Sequence, residues 1–223
     1  MAVTRQEGGV RKARAAQTEA ALKEAAVRVF ARVGYLNAKI TDITAEAGRS
    51  AGSFYSHFAD KEQLLEALLQ DILDEGDRNV AEDPAHDPDF TSRAAVRWHV
   101  AGAWAVSTTH GPVMTALRQA AMVDPRFARR LWDLMDPMAA DLAGHLDYVS
   151  AAGRALPGPP QDVARAIMAL ITEYAAIWVS QPPETRLPLD AAIDLVTDLI
   201  RTGITGPTPW PAPRPSRDGN PFG

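Results

Sequence analysis

Residues 40–65 read ITDITAEAGRSAGSFYSHFADKEQLL, and this stretch decides the fold. Thr41 has the side chain of a helix N-cap, and a short helix over residues 42–47 follows it and buries Ile43. Gly48 ends that helix with the left-handed backbone a tight turn requires. Ser50 caps a second short helix over residues 51–58, and Asp60 caps a long one over residues 61–80. Ala47 is small enough for the two short helices to approach closely. Phe54 and Phe58, four residues apart, anchor the second helix to the core. Ser50, Ser53, Tyr55 and His57 are then left on the outer side, with Arg49 at the turn. Two short helices around a glycine turn make a helix-turn-helix pattern. An outer face of short donors, a cation and an aromatic ring suits a helix lying in the major groove. Spacing alone also fits an ordinary pair of short helices in an all-α domain.

The flanking sequence keeps helical steps. Leu22, Ala26, Val29, Phe30 and Val33 mark one buried helical face, stopped by Gly34. Leu64, Leu65, Leu68 and Ile72 line the inner side of the long fourth helix. Asp83-Pro84 and Asp87-Pro88 mark a linker. Further helices are expected over residues 91–109, from Pro112, and from Pro125 to Val149, with Pro137 kinking or splitting the last. Pro157-Gly158-Pro159-Pro160 is a boundary, and helices over 161–180 and 190–203 follow. No strand pattern stands out, so the fold class is all-α. The expected domains are residues 10–60, residues 61–206, and a Pro-rich disordered tail at 207–223.

Composition narrows the function. The 223 residues carry a net charge of -5. Residues 1–60 hold nine Lys and Arg against six Asp and Glu, while the remainder holds fourteen against twenty-two. A basic head on an acidic body points the head at a polyanion. There is no cysteine, which excludes disulfides, thiolate zinc sites, iron–sulfur clusters and a cysteine nucleophile. The five histidines form no HExxH, and neither a P-loop nor a glycine-rich dinucleotide turn is present, so no enzyme is expected. The first twenty residues contain no apolar block, and the longest apolar run, residues 166–171, is far short of a membrane span. A cytoplasmic protein without metal or cofactor is the expectation.

Residues 20–69 resemble the N-terminal domain of the TetR family of bacterial transcriptional regulators. The resemblance rests on Ala25-Ala26 with Phe30, Gly34-Tyr35, Thr41 with Ile43, Ala47-Gly48 with Ser50, Gly52-Ser53-Phe54-Tyr55, His57-Phe58, and Lys61-Glu62 before Leu64-Leu65. It implies three DNA-binding helices, a connecting fourth helix, and a helical ligand-binding and dimerisation domain. It further implies that Thr41 meets a backbone phosphate and Ser53 a base edge or phosphate. Tyr55, His57 and Lys61 would meet phosphates. Arg49 and Ser50 complete the expected contact set, and Arg11, Lys12 and Arg14 would form a basic arm. The partner is then a palindromic double-stranded operator, read by a homodimer that pairs through the last two helices.

The resemblance further implies that the body takes a small lipophilic or acyl-type effector. Trp98, Trp104, Met135, Met138, Tyr174 and Trp178 are the candidate lining residues, since large aromatics and adaptable methionines line apolar pockets. His99, His145 and Glu173 are polar groups near the apolar stripes that could orient such a ligand. The alternative is a helical small-molecule-binding module with weak or no specific DNA binding.

Overall fold

A computed structural model describes residues 3–204, with side chains from residue 12 onward. The 207–223 tail and the Arg11 side chain lie outside the described residues. Among the described residues the chain is helical and no strand occurs. The elements are α1 (Val3–Asn37), α2 (Ile40–Glu46), α3 (Ala51–Tyr55), α4 (Lys61–Glu82), α5 (Arg93–Thr109), α6 (Gly111–Val123), α7 (Pro125–Ala151), α8 (Pro160–Ser180) and α9 (Leu189–Ile204).

The helices pack as two compact units. Among the described residues the first comprises residues 3–83 and 106–136, the second residues 84–105 and 137–204. Packing therefore divides the chain elsewhere than between residues 60 and 61. The unit around α2 and α3 takes in α4, α6 and the first part of α7. Its core joins Leu22, Phe30, Ile43, Phe54 and Leu65 to Leu117 and Phe127. The second unit has its own core, in which Phe90, Val100 and Trp104 meet Leu146, Ile171 and Val196.

Pro137 does not split the helix in which it lies. The helix α7 runs through it without interruption, because a proline removes one N–H donor while the apolar stripe continues on both sides. What changes at Pro137 is the packing. Phe127, Leu131 and Leu134 serve the first core, and Leu142, Leu146 and Val149 serve the second.

In the second unit α9 is pinned to α5 by charge as well as by apolar contact. Arg93 donates to Asp194 and to both carboxylate oxygens of Asp198, at 2.8–3.0 Å. Arg97 donates to Asp194 at 2.9 Å and to Asp190 at 2.8 Å. The guanidinium groups hold the Asp194 and Asp198 carboxyls below their usual pKa.

Candidate nucleic-acid interface and effector region

The turn between α2 and α3 is built by backbone hydrogen bonds. Gly48 takes φ +62, and its N–H donates to the Ala45 carbonyl at 3.1 Å. The Arg49 N–H donates to the Thr44 carbonyl at 2.9 Å. This pair of bonds satisfies the last carbonyls of α2 and reverses the chain, the Schellman arrangement in which glycine is preferred. Ser50 then caps α3, its side-chain oxygen accepting from the Ser53 N–H at 3.2 Å. The Ser50 hydroxyl proton remains available to donate outward.

Phe54 is fully buried and Phe58 nearly so, and their rings lie 5.6 Å apart. They hold the recognition segment against the core. Tyr55 sits edge-on to Phe54 and is 59% exposed. Arg49 and Ser50 are exposed and Ser53 is half-buried. Arg49, Ser50, Ser53 and Tyr55 thus lie along one short run that reaches solvent.

Three expected contact residues are placed differently. Thr41 is exposed but does not cap α2. The cap position belongs to Lys39, whose backbone is extended and whose N–H donates to the Asp42 carboxylate at 3.1 Å. The helix α3 ends at Tyr55, not Phe58, so His57 lies in the following turn. Its side chain is only 15% exposed, with Nδ1 3.9 Å from a carboxylate oxygen of Glu19. His57 therefore packs against α1 instead of standing on the outer face.

Lys61 differs most from expectation. Its ammonium donates to the Tyr35 carbonyl at 2.6 Å and to the Ala38 carbonyl at 2.9 Å, and lies 4.0 Å from the Tyr35 ring centre. It closes the C-terminal end of α1, where cations satisfy orphan carbonyls. Burial lowers its pKa. On the other side of this joint Gly34 takes φ 74 and ψ 163, a backbone region that is essentially glycine's alone. The adjacent Tyr35 N–H donates to the Gln119 side-chain oxygen of α6 at 2.8 Å. Thus α6 and Lys61 together fix the point at which α1 turns into α2.

The basic head is partly neutralised from within. Arg28 and Arg32 both reach Glu46 on α2, at 2.8 and 3.3 Å. Lys23 pairs with Glu19 and Asp71. Lys12, Arg14, Lys39 and Arg49 are exposed, and among the described residues none of these four is in an ion pair. Lys39 was not singled out by sequence, although its place at the start of α2 makes it a natural phosphate donor.

The expected effector residues do not form one set. Trp104, Tyr174 and Trp178 come together, with ring centres 5.8 Å and 5.6 Å from Trp104. The Trp178 indole N–H donates to the Leu187 carbonyl at 2.8 Å, and Arg186 lies over its ring at 4.3 Å. Trp98 instead packs against His86 and His99. Met135 belongs to the first compact unit and Met138 to the second, where it is 40% exposed. A separate surface cleft of about 450 Å³ lies within the first unit, with Val27, Leu68, Ile72 and Val113 in its lining beside Lys23, Asp71, Glu75 and His110. Lys23 lies 2.9 Å from Asp71 and His110 3.6 Å from Glu75, so polar contacts border an otherwise largely apolar cleft.

A second cluster was only half visible in the sequence. His99 on α5, His145 on α7 and His86 in the 83–92 linker bring one nitrogen each to within 4.8 Å of one another. Burial pushes the His99 imidazole down to about 4, assisted by its two histidine neighbours and opposed by its bond to the Ala95 carbonyl. His86 carried no sequence signal, because only the fold brings the linker beside α5 and α7.

Two short helices, a glycine turn closed by backbone bonds and an exposed recognition face define a helix-turn-helix DNA-binding protein. Comparison agrees with that class. Residues 22–68 match the sequence profile described as "Bacterial regulatory proteins, tetR family". The HTH-type transcriptional regulator Rv2912c of Mycobacterium tuberculosis is 28% identical over 198 residues, covering 84% of this chain and 95% of that protein. The HTH-type transcriptional repressor Rv1474c of the same organism is 27% identical over 188 residues, covering 80% and 90%. Among solved structures, the regulator FadR of Bacillus subtilis in complex with stearoyl-CoA has a TM-score of 0.65 at 18% identity, covering 82% of this chain and 98% of that one. Residues 22–68 are thus similar to the DNA-binding segment of TetR-family regulators, and the two Mycobacterium tuberculosis relatives, which span most of the chain, carry names of transcriptional regulators.

Proposed function

We propose that the protein is a cytoplasmic, ligand-responsive repressor that binds a palindromic operator as a homodimer and is released by a small lipophilic or acyl-type effector. The observation that carries the reading is the run of exposed Arg49, Ser50 and Tyr55 with half-buried Ser53, held from beneath by buried Phe54 and Phe58. Arg49 and Lys39 supply charge to phosphates, as do Lys12 and Arg14 at greater distance along α1. Thr41, Ser50 and Tyr55 supply hydroxyl donors, and Ser53 faces base edges or a phosphate. His57 and Lys61 act one step back. They position the helices that make the contacts.

So few free cations bind poorly as one copy, so affinity depends on a second. The helices α8 and α9 support such a dimer. Leu170 and Ile177 on α8 and Leu195 and Leu199 on α9 are 38–53% exposed, opposite the faces that fill the core. By length and composition α8 could also cross a membrane. Its apolar surface is better accounted for as half core and half dimer face, an isologous four-helix bundle. Two heads related by that symmetry would read half-sites roughly 34–36 Å apart or a multiple of that.

The effector reading draws on the aromatic group Trp104, Tyr174 and Trp178, with Trp98, Met135 and Met138 as outlying candidates. The acyl thioester class is favoured because the structurally similar FadR was solved with stearoyl-CoA. An effector acts only through its differential affinity for two conformations, typically about 1–3 kcal/mol of coupling. Within the first unit the joint to be moved is the end of α1, held by Gln119 of α6 and Lys61 of α4.

A second reading, a helical binding module with little sequence preference, is favoured by the internal pairing of Lys23, Arg28 and Arg32. Titration of the protein against the promoter region beside its own gene and against bulk duplex, across a salt series, separates the two. The repressor reading requires tighter binding to an inverted repeat than to bulk DNA, relieved by a long-chain acyl thioester. Equal affinity for both duplexes supports the module.

A further inference from the structure

The three histidines of the second unit have the geometry of ligands. The His99 Nδ1 lies 2.9 Å from the Ala95 carbonyl and the His145 Nδ1 lies 2.8 Å from the Asp141 carbonyl, each one helical turn back. A carbonyl only accepts, so each Nδ1 carries a proton, and in the neutral ring the Nε2 is then the nitrogen with the lone pair. Metal-bound imidazoles are held in the same way, the outer N–H on a backbone carbonyl and the inner nitrogen bare. The His86 Nε2 faces the His145 Nε2 at 3.3 Å. That is about the separation of two nitrogens bound tetrahedrally at 2.0–2.1 Å to one ion.

The rings of His86, His99 and His145 meet pairwise at 4.7–5.5 Å between centres. Phe90 and Trp98 pack against them and restrict solvent. All three histidines are half-buried, which leaves a path for an ion to enter. Two come from helices and one from a linker, so the framework fixes two ligands and the linker can close on the third. All three ligand nitrogens lie within 4.8 Å of one another, so small side-chain shifts bring them to the spacing of ligands on one ion.

We propose that His86, His99 and His145 form a binding site for a divalent transition-metal ion. Three imidazoles without a thiolate select zinc, nickel, cobalt or copper over magnesium or calcium, which prefer oxygen. Three protein nitrogens leave a fourth position for water or for a donor atom of a small ligand. The site ties the linker at His86 to α5 and α7 within the second unit, and it is independent of the DNA-binding reading.

The test uses untagged, full-length protein stripped with a chelator and titrated with Co²⁺, whose ligand-field absorption reports coordination. One Co²⁺ per chain is expected, displaced by Zn²⁺ and unaffected by Mg²⁺. H86Q and H145Q should each weaken binding by at least about 10–100-fold, the range found for removing even a group that only supports a ligand. His86 lies in a linker, so its variant keeps the fold, checked by circular dichroism. Absence of saturable Co²⁺ or Zn²⁺ binding overturns the proposal. Binding undiminished in H86Q and H145Q overturns it too, since the ion would then sit elsewhere.

Discussion

The first unit keeps its chemistry in one run of sequence, residues 41–58, whereas the second assembles its clusters from residues far apart. In the first, a glycine, a capping serine and two phenylalanines four residues apart decide which side chains face out. In the second, His86 meets His99 and His145 only after the linker folds back, and Trp104 meets Tyr174 and Trp178 across two helices. Short-range stereochemistry builds the DNA-reading surface, and long-range packing builds everything that could sense a ligand.

The comparison breaks most visibly if the recognition segment can do without its anchor. Phe54→Ala should cost about 3–5 kcal/mol of stability in urea unfolding and remove duplex binding, because the ring is fully buried beneath Ser53 and Tyr55. Retained operator affinity in this variant would show that the local segment does not depend on its core.

A smaller effect separates charge that reads DNA from charge that holds the fold. Lys61→Met keeps the aliphatic stem and removes two charge-assisted bonds, at a cost of about 1–3 kcal/mol. The salt dependence of duplex binding should stay unchanged. Arg49→Gln should do the reverse. Stability holds, and the slope of log K against log salt falls by about 0.9 for each phosphate that the variant no longer neutralises. If Lys61→Met flattened the salt slope instead, the lysine would touch a phosphate after all.

The smallest effect concerns the ion pairs that fasten α9. Asp194 and Asp198 have pKa values depressed below 3.8 by Arg93 and Arg97. Their contribution is therefore full above about pH 4 and is lost as pH falls through the depressed values. Arg93→Gln should flatten that acid limb in unfolding curves measured from pH 6 downward. Because these groups are solvent-exposed, salt should have much the same effect as the substitution.

What could be read in advance follows the same division. The helix stripes, the Gly48 turn, the Ser50 cap and the inward phenylalanines depend on neighbours within a few residues, and they stand where the sequence puts them. His57 and Lys61 were misplaced because their partners, Glu19, Tyr35 and Ala38, lie more than twenty residues away. The single helix through Pro137 was obscured because a proline rule concerns one hydrogen bond, while the apolar stripe on both flanks sustains the helix. The role of α6 in closing the first core had no local signature at all.

That last feature bears on how such regulators can be recombined. The helix α6 supplies Val113, Leu117 and Ala120 to the core that also holds Leu22, Phe30 and Ile43. A fragment severed at residue 83 would expose that apolar face to water and forfeit the Gln119 bond at the bend of α1. The DNA-reading head is thus no detachable cassette. A chimera that grafts it onto a foreign sensor must carry residues 106–136 along with it.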